Sequence, residues 1–238
     1  MRELKITHLY PELLNLYGDK GNIAALKCRA EWRDISVSVT EVRPGENIDF
    51  ENTDILFLGG GSDKELKNVL ELLLPEKEKF VAYAENGGVI LAVCEGFPLL
   101  GKTLVIGDAN TEGLGVLDII SEKSGKRLTG DVMLKCDIDG EKFNVTGFEN
   151  RELTVNTKDK TPLGKVVKGN GETDGIIYKN VYASFLHGPL LPKNPRLTDI
   201  LLKRALVKKY GETGAFSTLD DSVENEASSV MEKRISGV

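Results

Sequence analysis

The sequence predicts an α/β fold: a mostly parallel central sheet with helices on both faces and a sharp strand-to-helix elbow at Cys94. Three observations lead there. Strand-like and helix-like segments alternate through the first half, the apolar runs at 55–58, within the strand 54–58, and at 89–93 are continuous rather than alternating, and both runs end in glycine-containing turns. An uninterrupted apolar run suits a strand covered on both faces, as a parallel strand is by its crossover helices.

Residues 5–9 form the first strand, and residues 22–33 carry Ile23, Leu26 and Ala30 at helical intervals. Residues 35–42 alternate as a half-covered strand does, which completes a βαβ opening. The strand at 54–58 enters Gly59-Gly60-Gly61. Residues 63–85 are mostly helical, with Leu66, Val69, Leu70 and Leu73 on one face until Pro75 interrupts them. The run at 89–93 then enters Cys94-Glu95-Gly96. Beyond it, Gly113-Leu114-Gly115, Gly125-Lys126, Asp139-Gly140 and Asn170-Gly171 punctuate short segments such as 142–145 and 175–178, a pattern of hairpins and turns. Residues 197–210 restore a helix with Leu197, Ile200, Leu201, Ala205 and Leu206 inward, and residues 223–235 form a polar terminal helix. One domain is expected over residues 1–210, with residues 211–238 a polar helix or tail loosely attached to it.

Composition narrows the function classes. The chain has 238 residues, 40% of them hydrophobic, enough for a sizeable core. Its formal net charge of -6 argues against general nucleic-acid or anionic-membrane binding. No apolar stretch follows the charged opening Met1-Arg2-Glu3-Leu4-Lys5, and no run approaches the roughly 20 residues of a membrane span, so a cytoplasmic protein is expected. Cys28, Cys94 and Cys136 are odd in number and widely spaced, which makes neither a disulfide framework nor a zinc knuckle. At least one is a free thiol.

The strand ending at Cys94 carries the chemistry. Small Gly96 lets the chain turn sharply into a helix and leaves the thiol at the apex, the logic of a nucleophile elbow with sulfur in place of hydroxyl. The plainer reading is a buried free cysteine closing a core strand. His187, at the end of a strand and before a glycine-proline turn, can reach the same sheet edge as the base; His8, inside the first strand, suits a structural role. A thiolate attacking an amide also needs donors for the developing oxyanion. Backbone N–H groups of Gly60 and Gly61, with that of Glu95, supply them, because glycines let amides converge as in a nest. No metal or cofactor is expected. Residues 96–103 also satisfy GxxxxGK[ST] letter for letter, which would make a phosphate loop. The mechanics oppose it: Pro98 has no N–H, and residues 104–108 read as strand and turn where that motif opens a long helix.

The Cys94 elbow, Gly59-Gly60-Gly61-Ser62-Asp63 and Leu186-His187-Gly188-Pro189 resemble class I glutamine amidotransferases of the cobyric acid synthase-like branch. The similarity extends to Leu16-Tyr17-Gly18-Asp19-Lys20-Gly21-Asn22, Gly113-Leu114-Gly115, Arg127-Leu128-Thr129-Gly130, Gly147-Phe148-Glu149-Asn150 and Leu191-Pro192-Lys193-Asn194, and so covers most of the chain. The resemblance implies that Cys94 is the nucleophile and His187 the general base and acid. It implies that Arg127 grips the α-carboxylate of glutamine by a charge-assisted hydrogen bond, and it makes Asp19 a candidate orienter. Without the large synthetase domain of cobyric acid synthases, it implies a glutaminase subunit in a heterodimer. Ammonia would pass to a Mur ligase-like, ATP-using partner that amidates the D-glutamate of lipid II to D-isoglutamine, the lipid-linked acceptor being reached through the partner. A cobyric acid-like acceptor is the alternative.

Four departures stand out. Glu95 occupies a position where the family commonly has glycine, Pro98 one where it has glutamine, and Pro189 the place of the triad glutamate of many relatives. Arg151-Glu152-Leu153 replaces a histidine-glycine run. A carboxylate beside Cys94 disfavours the thiolate unless it points away. A cysteine hydrolase without preference for glutamine and a catalytically silent binding subunit are therefore carried as further readings.

Overall fold

The computed structural model describes residues 2–157 and 159–236. Met1 of the charged opening, Lys158, and Gly237 and Val238 of the expected terminal segment lie outside the described residues. The chain runs through β1 (Arg2–Leu9), α1 (Lys20–Glu31), β2 (Ile35–Val42), β3 (Ile55–Leu58), α2 (Asp63–Leu73), α3 (Lys77–Glu85), β4 (Val89–Val93) and α4 (Gly96–Leu99). It continues with β5 (Thr103–Ile106), β6 (Ala109–Glu112), β7 (Ser121–Ile138), β8 (Glu141–Val155), β9 (Gly164–Lys168), β10 (Thr173–Asp174), β11 (Ile176–Tyr178), β12 (Val181–Ser184), α5 (Pro195–Tyr210) and α6 (Ser222–Ser236).

The central sheet has the order β11-β12-β4-β3-β1-β2, parallel throughout except for the edge pair β11–β12. Ile6, Phe57, Leu91 and Tyr182 pack on one side with Leu26 and Ala30 of α1 and Leu197 and Leu201 of α5. Leu56, Leu58, Ile90 and Val181 pack on the other with Leu66 and Leu70 of α2 and Phe80 of α3. Every residue of β3 and β4 is buried, which is why their sequences show no alternation, whereas edge strand β2 alternates. α2 opens with a capping box in which the Ser62 N–H donates to Glu65 Oε2 at 2.8 Å. At Pro75 the helical stretch is broken by one turn of 3₁₀ helix before α3 resumes. From β1 the chain crosses outward to β2, and from β3 it crosses the opposite way to β4. That reversal opens a crevice beyond the carboxyl ends of the strands, where open α/β sheets bind ligands.

A second sheet, β10-β9-β7-β8, is antiparallel. Here the structure corrects the expectation of short segments, because β7 and β8 form one hairpin of 18 and 15 residues. Gly125-Lys126 reads as a turn signal but lies within β7, as Gly130 does, and Gly147 lies within β8, where a Cβ would press on Leu186. Asp139-Gly140 does turn the hairpin, both residues having positive φ (56° and 83°). The segment after Gly211 is also firmly held rather than loose. Arg29, with its side chain 5% exposed, bonds Asp199 and Asp221 at 2.7 Å, and Arg33 donates to the Ser217 carbonyl and stacks 4.0 Å over Phe216. Asn144 on β8 then donates to Glu232 on α6 at 2.9 Å. Among the described residues no helix is long and apolar enough to cross a membrane.

Candidate active site

β4 delivers Cys94 with φ +55°, a left-handed backbone that costs a non-glycine residue about 1–3 kcal/mol and persists only where its surroundings enforce it. The Cys94 N–H donates to the Ser184 carbonyl at 2.9 Å, and the Cys94 carbonyl accepts from Phe97 at 3.1 Å. α4 is wholly buried, and a Cβ at Gly96 would come within 2.6 Å of the Gly59 carbonyl. The Gly59-Gly60-Gly61 loop crosses directly over the elbow. At Gly60 a Cβ would lie 2.7 Å from Cys94 Cβ and 3.0 Å from its Sγ, so close approach to the nucleophile demands glycine there.

His187 follows β12, whose register beside β4 ends at Ser184↔Val93, so both residues come off adjacent strand ends. Its backbone exchanges hydrogen bonds with Phe148 at 3.0 and 3.2 Å. The ring stacks on Tyr17 at a centroid distance of 3.8 Å and meets Phe148 edge-on at 5.6 Å. Neither ring nitrogen has a hydrogen-bond partner. Burial, reinforced by Lys193, lowers its pKa to about 4, so the imidazole is neutral at pH 7.

Asp19, expected as an orienter, is fully buried and accepts the Gly60 N–H at 2.9 Å, so its bond goes to the glycine loop and not to His187. Burial raises its pKa to about 6, against the pull of the Gly60 amide. The Gly60 N–H, expected among the oxyanion donors, is thereby engaged. Arg127 falls in the register shift between Lys123 and Leu128, and such a bulge re-aims side chains out of the ladder. It donates to Asn150 Oδ1 at 2.8 Å and Glu152 Oε1 at 2.9 Å. Asn150 donates in turn to Tyr17 Oη at 2.7 Å, which completes a path from Arg127 to the ring that holds His187. Tyr17, Gly61, Glu95 and Arg127 share the wall of a pocket of about 340 Å³. A larger pocket of about 850 Å³, around Lys5, Asp54 and Tyr83, lies at the opposite edge of the sheet and holds none of these groups.

Glu95 points at the nucleophile. Cys94 Sγ donates to its Oε2 at 2.6 Å. Burial first, and then this carboxylate, push the Cys94 thiol well above its ordinary range, and burial raises the Glu95 carboxyl as well. The phosphate-loop alternative is overturned. The N–H groups of Phe97, Leu100, Gly101 and Lys102 bond the carbonyls of Cys94, Phe97, Pro98 and Ile119 instead of converging on an anion, and Lys102 pairs with Asp118 at 2.6 Å. Tyr17 and Asn150 are the functional side chains that sequence reasoning did not single out. Both lie inside motifs, but their meeting across the two sheets is a tertiary fact.

Residues 5–195 match the CobB/CobQ-like glutamine amidotransferase domain. The chain belongs to that family. It is 40% identical, over 97% of its length and 96% of the relative, to the lipid II isoglutaminyl synthase (glutamine-hydrolyzing) subunit GatD of Staphylococcus aureus strain N315. It is 39% identical to the subunit of the same name from Streptococcus pneumoniae strain R6, over 94% of this chain and 88% of that one. A solved glutamine amidotransferase structure superposes with a TM-score of 0.53 at 20% identity, covering 84% of this chain and 98% of that one, which attests to the fold. In this amidotransferase the motifs spread along the sequence meet at one place. Gly21 packs against Pro189, Asn22 Oδ1 accepts the Leu191 N–H at 2.8 Å, and Asn194 ties Thr146 to Leu190.

Proposed function

We propose that this amidotransferase is the glutaminase subunit of a lipid II isoglutaminyl synthase. It works in the cytoplasm and hands ammonia to a Mur ligase-like, ATP-using partner that converts the D-glutamate of lipid II to D-isoglutamine. The observation that carries the hydrolytic half is the left-handed Cys94 at the end of β4, roofed by Gly60 and followed by Glu95, which shares a pocket with Arg127. The acceptor half rests on the names of the two relatives that align along nearly their whole length.

Arg127 binds the α-carboxylate of glutamine, placing the side-chain amide over the sulfur. The Cys94 sulfur attacks the amide carbon as its proton passes to a base in the site, and the amides of Gly61 and Glu95 hold the oxyanion, joined by that of Gly60 once Asp19 releases it. Collapse expels ammonia, with His187 passing it the proton that left the Cys94 thiol and then activating the water that cleaves the glutamyl thioester. Released into bulk water the ammonia would be protonated and lose its nucleophilicity, so a protected path to the partner is required. The test is co-expression with the neighbouring synthetase, followed by ATP, lipid II and glutamine labelled with nitrogen-15 in its amide. Label in an amidated lipid II supports the reading; hydrolysis without transfer leaves the cobyric acid-like alternative as the better account.

A further inference from the structure

Glu95 is the group in this pocket whose position the hydrolytic scheme does not yet use. Its Oε2 lies 2.6 Å from Cys94 Sγ and is the acceptor of the thiol proton. His187 makes no hydrogen bond through either nitrogen and stacks flat on Tyr17, so the proton has one acceptor in this geometry, and that is a carboxylate. The carboxyl also lies close under the glycine loop, since a Cβ at Gly60 would come within 2.8 Å of Oε2.

We propose that Glu95 is a catalytic residue, the immediate proton acceptor of the Cys94 thiol, with His187 acting later on ammonia and water. The inference rests on the glutaminase reading above. As sulfur bonds to the glutamine amide carbon, the S–H bond breaks and its proton moves to Oε2, while the carbonyl π pair becomes the oxyanion. Collapse returns the pair to carbonyl, breaks the C–N bond, and the proton held by Glu95 or relayed through His187 completes ammonia. Moving the proton within the Cys94–Glu95 pair keeps its net charge constant, so no second charge has to be buried. A free thiolate never accumulates beside a carboxylate.

The surrounding charges are compatible with that single negative charge. Tyr17 and Asp19 face Glu95 from the segment before α1, Asp63 from the first turn of α2, and Arg127 from β7. Lys123, Arg151 and Glu152 on the same pocket wall are already paired, with Asp108, Glu149 and Arg127. Arg127, though bonded to Glu152, is the cation among these groups that acts on Glu95.

The test compares Glu95→Gln, which keeps shape and an acceptor oxygen but no basicity, with Glu95→Gly, each assayed with the synthetase partner. The expected result is a fall in kcat of at least about 100-fold in both, a KM within about threefold, and loss of the acid limb of kcat/KM in Glu95→Gln. Iodoacetamide alkylation of Cys94 against pH, without glutamine, should shift to lower pH in both variants as the carboxylate is removed. Unchanged or higher kcat in either folded variant would overturn the proposal, and so would an alkylation profile that does not move. If the wild-type complex has no glutaminase activity while the alkylation profile shifts as expected, the functional reading fails and the thiol–carboxylate pair stands.

Discussion

At Cys94 and His187 the local constraints differ, and so did their legibility. The elbow could be read because a run of apolar residues, a cysteine and a glycine specify a strand, an apex and a tight exit within eight residues of sequence. What Glu95 does was not readable, since a side chain next in sequence can point at the sulfur or away from it, and packing under Gly60 decides. His187 stood out because only His8 competes with it, but its stacking on Tyr17 depends on two segments far apart in the chain. Cys94→Ser should keep the fold and lose glutamine hydrolysis, because a serine hydroxyl is far less acidic than a thiol and a much poorer nucleophile in a site shaped for sulfur; hydrolysis by a folded mutant would refute the nucleophile. His187→Ala should nearly abolish turnover. His8→Ala should cost far less, as His8 lies in β1 edge-on to Phe57 at 5.1 Å. Steady-state rates of the two variants decide, and equal losses would leave the choice of base unsupported.

Among the elements, the parallel strands and their helices follow from hydrophobic period alone, and β2, α2 and α5 lie where the pattern puts them. The long β7–β8 hairpin did not, because glycines inside a strand carry the same letters as glycines in a turn. Its bulge matters to the site: it re-aims Arg127, which sequence alone could place only by resemblance. The glycine loop gives a sharp element-scale prediction. Gly60→Ala forces a methyl against Cys94 Cβ, so it should destabilise by about 1–3 kcal/mol and remove most activity; chemical denaturation and a glutaminase assay check both, and a neutral effect would contradict the close packing. The α4–β5 turn predicts the opposite for Lys102→Ala. Lys102 is exposed and paired with Asp118, so hydrolysis should stay within about 0.5 kcal/mol of wild type and calorimetry should find no ATP binding. Micromolar, Lys102-dependent ATP binding would restore the phosphate-loop reading.

For the whole molecule, one reversal in strand order gathers the pieces at a single edge: the glycine loop from β3, the elbow from β4, His187 from β12, and Arg127 from the second sheet. Residues 211–236 complete the body, strapped to α1 and α5 through the buried arginines. This was illegible because their polar sequence looks solvated, while the partners that bury it, Arg29 in α1 and Arg33 in the turn after it, lie nearly two hundred residues earlier. Breaking such a buried pair leaves uncompensated charge, so Arg29→Ala should lower stability by about 3–5 kcal/mol, read from the denaturation midpoint; an unchanged midpoint would show the strap to be loose. The central claim, that this fold presents Cys94 as a nucleophile shaped for glutamine, is tested most directly by intact mass and peptide mapping after treatment with the glutamine analogue 6-diazo-5-oxo-L-norleucine. A single adduct on Cys94, suppressed by excess glutamine and absent from Cys94→Ser, is the result expected. Modification of exposed Cys28 instead, or labelling of Cys94 that glutamine does not suppress, would contradict it.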